Sequence, residues 1–241
     1  MKILISSCLF FYCSNSNKYN RLYKNIVNSR HLLVEQGYDV DIVIYYDRTV
    51  SKKIINDLKT EKNVFLIEKS QSKQREGCFW RYESINDFQD YDIYMFRDVD
   101  IPLENNDVII TDQFVNSDRN VFYIFLVHTR KSFPKQGFLM GGLFGIKKNA
   151  CDNFKKSLKD WMNKKKLNHY GSDEEFLAET FYLKEKSIVF IEPRVINNPA
   201  HAQNRINLPS AKLDEGFFLN HKLDKDHEIY VDLKENFKLD Y

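Results

Sequence analysis

The chain has 241 residues, 43% of them hydrophobic and 15% aromatic, enough to fill one substantial core. Its 36 basic and 34 acidic residues leave a formal charge of +2, so no global field recruits nucleic acid or a membrane and partners must be read from local sites. Four cysteines, Cys8, Cys13, Cys78 and Cys151, share no CxxC or Cys/His spacing; at this size a disulfide scaffold is unnecessary, and reduced thiols in a cytoplasmic setting are the expectation.

In chain order, the opening "MKILISSCLFFYCSNSN" has the length of a signal peptide, but Ser6 and Ser7 interrupt it and no A-x-A-like cleavage site follows. "KILISS" is therefore expected as a first strand. Apolar positions Leu22, Ile26 and Leu33 predict a helix between Lys18 and Gln36, with Gly37 where a C-cap would fall. "DVDIVIYY" (39–46) predicts a buried second strand, "IINDL" a short helix and "NVFLIE" a third strand. A polar linker from Gln71 to Gly77 precedes a fourth strand, "YDIYMF", and two further strands are expected at "NVFYIFLV" (120–127) and "FLMGGLFGI" (138–146). After Lys148, Phe154, Leu158, Trp161 and Met162 recur at helical spacing, while Lys155, Lys156 and Lys159 fall elsewhere. Those lysines read as a solvated face; the alternative is a peripheral membrane contact helped by Lys164, Lys165 and Lys166. No run approaches the roughly eighteen apolar residues of a membrane span.

Alternating strands and helices predict an α/β fold, a mixed Rossmann-like sheet flanked by helices in a single domain. Residues 1–100 and 101–191 would form its two halves, and 192–241, with Pro193, Pro199 and Pro209, an irregular tail wrapped around the domain.

The fourth strand runs into "RDVDIPL". Ligands gather outside the carboxyl ends of strands in open α/β sheets, where this strand would deliver Asp98 and Asp100. Extended backbone would point both carboxylates one way and return Val99 to the core. Two converging carboxylates suit Mn²⁺ or Mg²⁺, whose shell phosphate oxygens and water complete. Ordinary turn chemistry, closed by Pro102, is the structural alternative.

The passages "GCFWRYESINDFQDYDIYMFRDVDIPL", "GFLMGGLFGIKK" and "HYGSDEEFL", in this order across residues 77 to 177, resemble the GT-A glycosyltransferases, in particular bacterial and viral enzymes of capsular-polysaccharide type. The resemblance implies a GT-A fold and a nucleotide-sugar transferase of polysaccharide biosynthesis, with Asp98 and Asp100 holding the divalent ion on the diphosphate of a UDP- or GDP-sugar. A glycan or glycoconjugate hydroxyl would be the acceptor. Two positions depart from the family pattern. Ile101 and Pro102 replace a Ser-Arg pair, leaving a sugar or phosphate contact open, and Glu174 replaces the glutamine after Asp173, leaving acceptor recognition open.

Arg81 and Arg97 offer planar forks for phosphate or nucleotide, or equally salt bridges that hold the loop. Phe11, Tyr12 and Trp80 suit stacking on base or sugar, or a place in the core. Gly141, Gly142 and Gly145 weaken a strand unless something approaches the backbone closely, a sugar ring or the strain of a bulge. Ser172 with Glu175 reads as a capping box, which places Asp173 and Glu174 in a first helical turn. Asp173 is the first candidate to contact sugar or take the attacking hydroxyl's proton, with Glu174 in reserve. The resemblance implies a late histidine as third metal ligand, His201 ahead of His221, with His128 weaker. Three rivals stay open. A D-x-D phosphohydrolase should carry its motif earlier, a nucleotidyltransferase should show a glycine-rich basic loop absent from "SSCLFFYCSNSN", and a noncatalytic carbohydrate-binding module would not need Arg97, Asp98 and Asp100 together.

Overall fold

The computed structural model describes residues 1–10, 22–70, 76–128, 137–138, 140–164, 172–177, 187–194 and 216–218. Among the described residues, nine strands form one sheet: β1 Lys2–Leu9, β2 Asp39–Tyr46, β3 Val64–Glu68, β4 Ile93–Arg97, β5 Val121–His128, β6 Gly137–Phe138, β7 Leu143–Lys147, β8 Ser187–Arg194 and β9 Gly216–Phe218. Their order is β3-β2-β1-β4-β7-β5-β8-β9, with β6 paired beside β5. Along that path only β7 runs against its neighbours, antiparallel to both β4 and β5.

Alternation along the strands sends side chains to two cores. Leu4, Tyr45, Tyr94, Phe96 and Phe144 enter one, and Ile3, Ile5, Ile44, Met95 and Phe122 the other. Strands buried on both faces need helices on both, as the continuous apolar runs foretold. The second face is covered by α1 Asn25–Ser29, α2 His31–Val34, α3 Lys52–Lys59 and, past the short α4 Ser84–Asp87 of the first face, α5 Asn105–Asn116. The first face also carries a 3₁₀ segment Glu76–Glu83, α6 Cys151–Lys164 and α7 Ser172–Phe176. Ser51 caps α3 by accepting from the Ile54 amide at 3.4 Å, and Ile54, Ile55 and Leu58 pack beneath the sheet.

Several expectations change in detail. The helix expected up to Gln36 is two short helices within the described residues, with Lys18 to Arg21 outside them. Gly37 ends this segment at φ +87°, a conformation that a side chain resists, and its amide donates to the Val34 carbonyl. "FLMGGLFGI" is not one strand, because a turn at Gly141–Gly142 separates β6 from β7. Helix α6 buries Phe154 and Trp161, whereas Met162 stays 40% exposed. Gly216–Phe218 adds a strand beside β8 within the stretch expected as an irregular tail. Helix α5 matches no expected element. No helix among the described residues is long and apolar enough to cross a membrane.

Candidate active site

The carboxyl ends of β1 and β4 and the start of β7 meet at one edge of the sheet. Because β7 is antiparallel to β4, Arg97 lies opposite Leu143, and the residues leaving β4 sit beside those entering β7. Asp98 is thereby set against Gly142 although 44 positions separate them. A Cβ added at Gly142 would stand 2.6 Å from the Asp98 Cγ and 2.8 Å from the Arg81 Nη1, and one at Gly141 would stand 2.6 Å from the Asp173 Cγ. Each glycine is a space that a carboxylate fills, so a side chain at either position must displace that carboxylate or the turn. Gly145 has a different reason: its added Cβ would meet the Phe122 ring within the opposite core.

Arg81, on the 3₁₀ segment, ties the cluster together. Its Nη1 donates to Asp98 Oδ1 at 2.7 Å and its Nε to the Cys78 carbonyl at 3.0 Å, while Ser6 and Ser84 hydroxyls hold its own carbonyl at 2.6 and 2.9 Å. The guanidinium is buried and the Asp98 side chain 32% exposed, so one partner anchors and the other faces outward. Tyr82 carries this region into the core: its ring sits edge-on to Phe79, Phe96, Phe144 and Phe154, and its hydroxyl donates to the Gly141 carbonyl at 3.4 Å.

Charge within the cluster is unbalanced. Asp98, Asp173 and Glu174 surround one guanidinium. Burial raises Asp173 above the ordinary carboxylate range, with Asp98 adding to the rise and Arg81 opposing it. Burial, then Asp173 and Asp98, push Glu174 from 4.5 up to about 8. Burial works against the charge on Arg81, but the facing carboxyl groups of Asp98 and Asp173 outweigh it and keep the group ionised. Burial likewise lifts the Cys8 thiol to about 11, which makes it a poor nucleophile.

Of the residues singled out in the sequence, the structure brings together Asp98, Arg81, Gly141, Gly142, Asp173 and Glu174. Asp100 lies past the end of β4 in a turn closed by the Ile101 amide donating to the Asp98 carbonyl at 3.2 Å. The backbone that carries it is thus not the extended one expected, though Val99 does return to the core. Arg97, expected beside the carboxylates, takes the salt-bridge alternative instead. Odd and even residues of a strand face opposite ways, so Arg97 points to the other core, 1% exposed and 2.6 Å from Asp107 Oδ1. Trp80 is 8% exposed and edge-on to Phe10 at 5.6 Å, a core placement. Ser172 begins α7 instead of preceding it, a shift of one position from the expected cap. His128 ends β5, and Phe11, Tyr12, His201 and His221 lie outside the described residues. Among the described residues, no three of His, Cys, Asp and Glu gather closely enough to cage a metal ion.

Sequence reasoning passed over Ser6, Ser7 and Tyr82. The signal for the serines was the pair of hydroxyls interrupting an apolar first strand. Both are fully buried, Ser6 on the Arg81 carbonyl and Ser7 donating to the Arg97 carbonyl at 2.7 Å.

No family model and no curated protein sequence matches the chain. Solved structures do. S. aureus TarS 1–349 in complex with UDP-GlcNAc aligns at TM-score 0.50 and 11% identity over 85% of this chain and 62% of that one. The 4-diphosphocytidyl-2C-methyl-D-erythritol synthase of Anaerococcus prevotii aligns at 0.52 and 10% over 78% and 86%. A glycosyltransferase involved in glycosylation of the major capsid of PBCV-1 aligns at 0.46 and 14% over 78% and 81%. The chain spans 49% of the TarS 1–349 structure in another comparison, about half its length. What is shared at these identities is the fold, and that fold is of the GT-A type.

Proposed function

We propose that the chain is a glycosyltransferase that moves a sugar from a nucleoside-diphosphate sugar to a hydroxyl of a glycan or glycoconjugate. The observation that carries this reading is the meeting of Asp98, Arg81 and Asp173 around the Gly141–Gly142 turn, at the sheet edge where α/β folds bind nucleotides. A UDP- or GDP-linked donor suits the site, and the TarS neighbour, whose solved complex holds UDP-GlcNAc, has the same fold.

Mn²⁺ or Mg²⁺ fits the donor set. The outward-facing Asp98, 32% exposed, engages Arg81 through Oδ1 and so leaves its other oxygen to a hard cation whose shell phosphate and water complete. Asp98, with Asp100 and His201, would hold it; when bound, it would supply positive charge where the leaving diphosphate becomes more negative.

Arg81 neutralises charge on the diphosphate from a fixed position, since its Nε is committed to the Cys78 carbonyl and it needs no reorganisation as the bond breaks. The bare backbone of Gly142 lets the donor approach Asp98. Glu174, less buried than Asp173 and poised near 8, takes the proton of the acceptor hydroxyl, while Asp173, only 9% exposed and wedged against Gly141, orients that hydroxyl.

The test is nucleotide release from UDP- and GDP-sugars with and without Mn²⁺. Release that needs the ion and disappears in Asp98→Ala supports the reading. No release, together with no thermal shift from any nucleotide sugar, overturns it. A second reading, nucleotidyl transfer, is favoured by the fold shared with the A. prevotii synthase. It predicts pyrophosphate release from a nucleoside triphosphate and a sugar phosphate.

A further inference from the structure

Arg97 is the least expected feature of the site. Its Nη2 pairs with Asp107 Oδ1 at 2.6 Å, whereas its Nε and Nη1 are buried with no hydrogen-bond partner among the described residues. A buried ion pair is a weak source of stability, and two orphaned donors make this one weaker; an apolar pair of similar volume would hold the core as well. The pair does something that an apolar contact does less sharply, which is to fix a distance. Arg97 is the last residue of β4. Asp107 is in the first turn of α5, and its Oδ2 accepts from the Glu104 amide at 2.8 Å. The ion pair therefore pins both ends of the segment 98–104, and the carboxylates of Asp98 and Asp100 lie between the pins.

Helix α1 grips the same segment from the side. Asn25 Nδ2 donates to the Asp100 carbonyl at 2.8 Å, the Ile26 amide to the Val99 carbonyl at 3.4 Å, and the Leu103 amide to the Ser29 hydroxyl at 2.7 Å. Val99 and Leu103 are pegged into the core beneath α1. Backbone that has left the sheet is thus tied at three points, Val99, Asp100 and Leu103, to one helix and braced at its ends by one ion pair.

We propose that Asn25, Arg97 and Asp107 are positioning residues that hold the Asp98–Ile101 turn in the geometry needed to bind a divalent cation. This rests on the metal reading above. None of the three touches the ion. They act by presenting Asp98 and Asp100 already arranged, as outer-shell partners of metal ligands commonly do.

The experiment uses the full chain and three variants: Asn25→Ala, Asn25→Gln and the paired Arg97→Met/Asp107→Leu. Mn²⁺ binding is read from the free-ion electron paramagnetic resonance signal with UDP present, UDP binding is read without metal, and amide exchange is followed over residues 99–103. We expect Mn²⁺ affinity to fall at least about tenfold in Asn25→Ala and in the paired variant, within the usual range for outer-shell changes. Metal-free UDP binding stays unchanged, exchange over 99–103 rises, and Asn25→Gln, which keeps the amide donor, recovers part of the affinity. A merely structural role would lower the melting temperature while leaving the Mn²⁺ midpoint in place, and that result overturns the proposal. Should the paired variant fail to fold, Asn25→Ala decides alone. Absence of Mn²⁺ binding in the unsubstituted chain overturns the metal reading and this proposal together, whereas equal binding by chain and variants overturns this proposal only.

Discussion

Replacing Gly141 by alanine puts the site to its sharpest test. The new Cβ would lie 2.6 Å from the Asp173 Cγ, where carbon atoms rest at roughly 3.5–4.0 Å, so the buried Asp173 carboxyl, or the turn beside it, must move by about 1 Å. Overpacking of that kind costs about 1–3 kcal/mol. For a chain of this size each kcal/mol lowers the melting temperature by about 2–4 °C, giving a fall of about 2–12 °C. A 1 Å displacement of a reacting group costs about 100-fold in rate, so kcat should drop by about that factor. The assay is nucleotide release at saturating donor alongside calorimetric donor binding in Mn²⁺. Gly141→Ala should lose turnover with donor affinity held if Asp173 has the acceptor-side role proposed for it. Gly142→Ala, whose Cβ would press on Asp98 and Arg81, should lose donor affinity as well. Gly145→Ala, whose Cβ would stand 2.9 Å from the Phe122 Cζ in the far core, should melt earlier while keeping turnover per folded molecule. Wild-type kcat in Gly141→Ala, or an equal loss of kcat in Gly145→Ala, would refute the assignment.

Other outcomes follow from the same geometry. Because Glu174 is raised from 4.5 to about 8, the folded chain keeps a proton in that window that the unfolded chain has lost, so stability falls as pH rises from 4.5 to 8. Glu174→Gln should flatten the decline in melting temperature across the upper part of this window and remove a rate limb centred near pH 8; an unchanged slope would contradict it. Arg81→Lys cannot span both the Cys78 carbonyl and Asp98, and turnover should fall by about 10²-fold, measured as nucleotide release. Trp80→Phe should lower the melting temperature by a few degrees through lost contact with Phe10, with donor affinity holding within about threefold in calorimetry.

Much of the architecture was legible because strands buried on both faces leave long apolar runs, and β2 appeared at its full extent. Asp98, Gly142 and Asp173 were singled out one by one from local signals, a strand end, glycines inside an apolar run and a helix start, whereas their meeting follows from the antiparallel pairing of β4 with β7, which no local signal announces. What escaped notice had mixed signals. Helix α5 buries Asp107, Ile110, Thr111 and Phe114, a regular i, i+3, i+4, i+7 stripe in which two members are polar, so a count of apolar residues misses it. Its β-branched residues also favour strand locally, and tertiary packing prevails. The placement of Arg97 depended on parity along β4, a one-residue distinction that decides which core a side chain enters. "GCFWRYE" carries aromatics without a clear period, and its 3₁₀ form follows from packing Phe79, Trp80 and Tyr82 under the sheet.

The contact between Asp98 and Gly142 is set by strand register, Arg97 against Leu143, and owes nothing to the length of the connection between β5 and β7. What precedes the Gly141–Gly142 turn in that connection can therefore change in length without drawing Asp98 away from Gly142, provided the turn itself is kept.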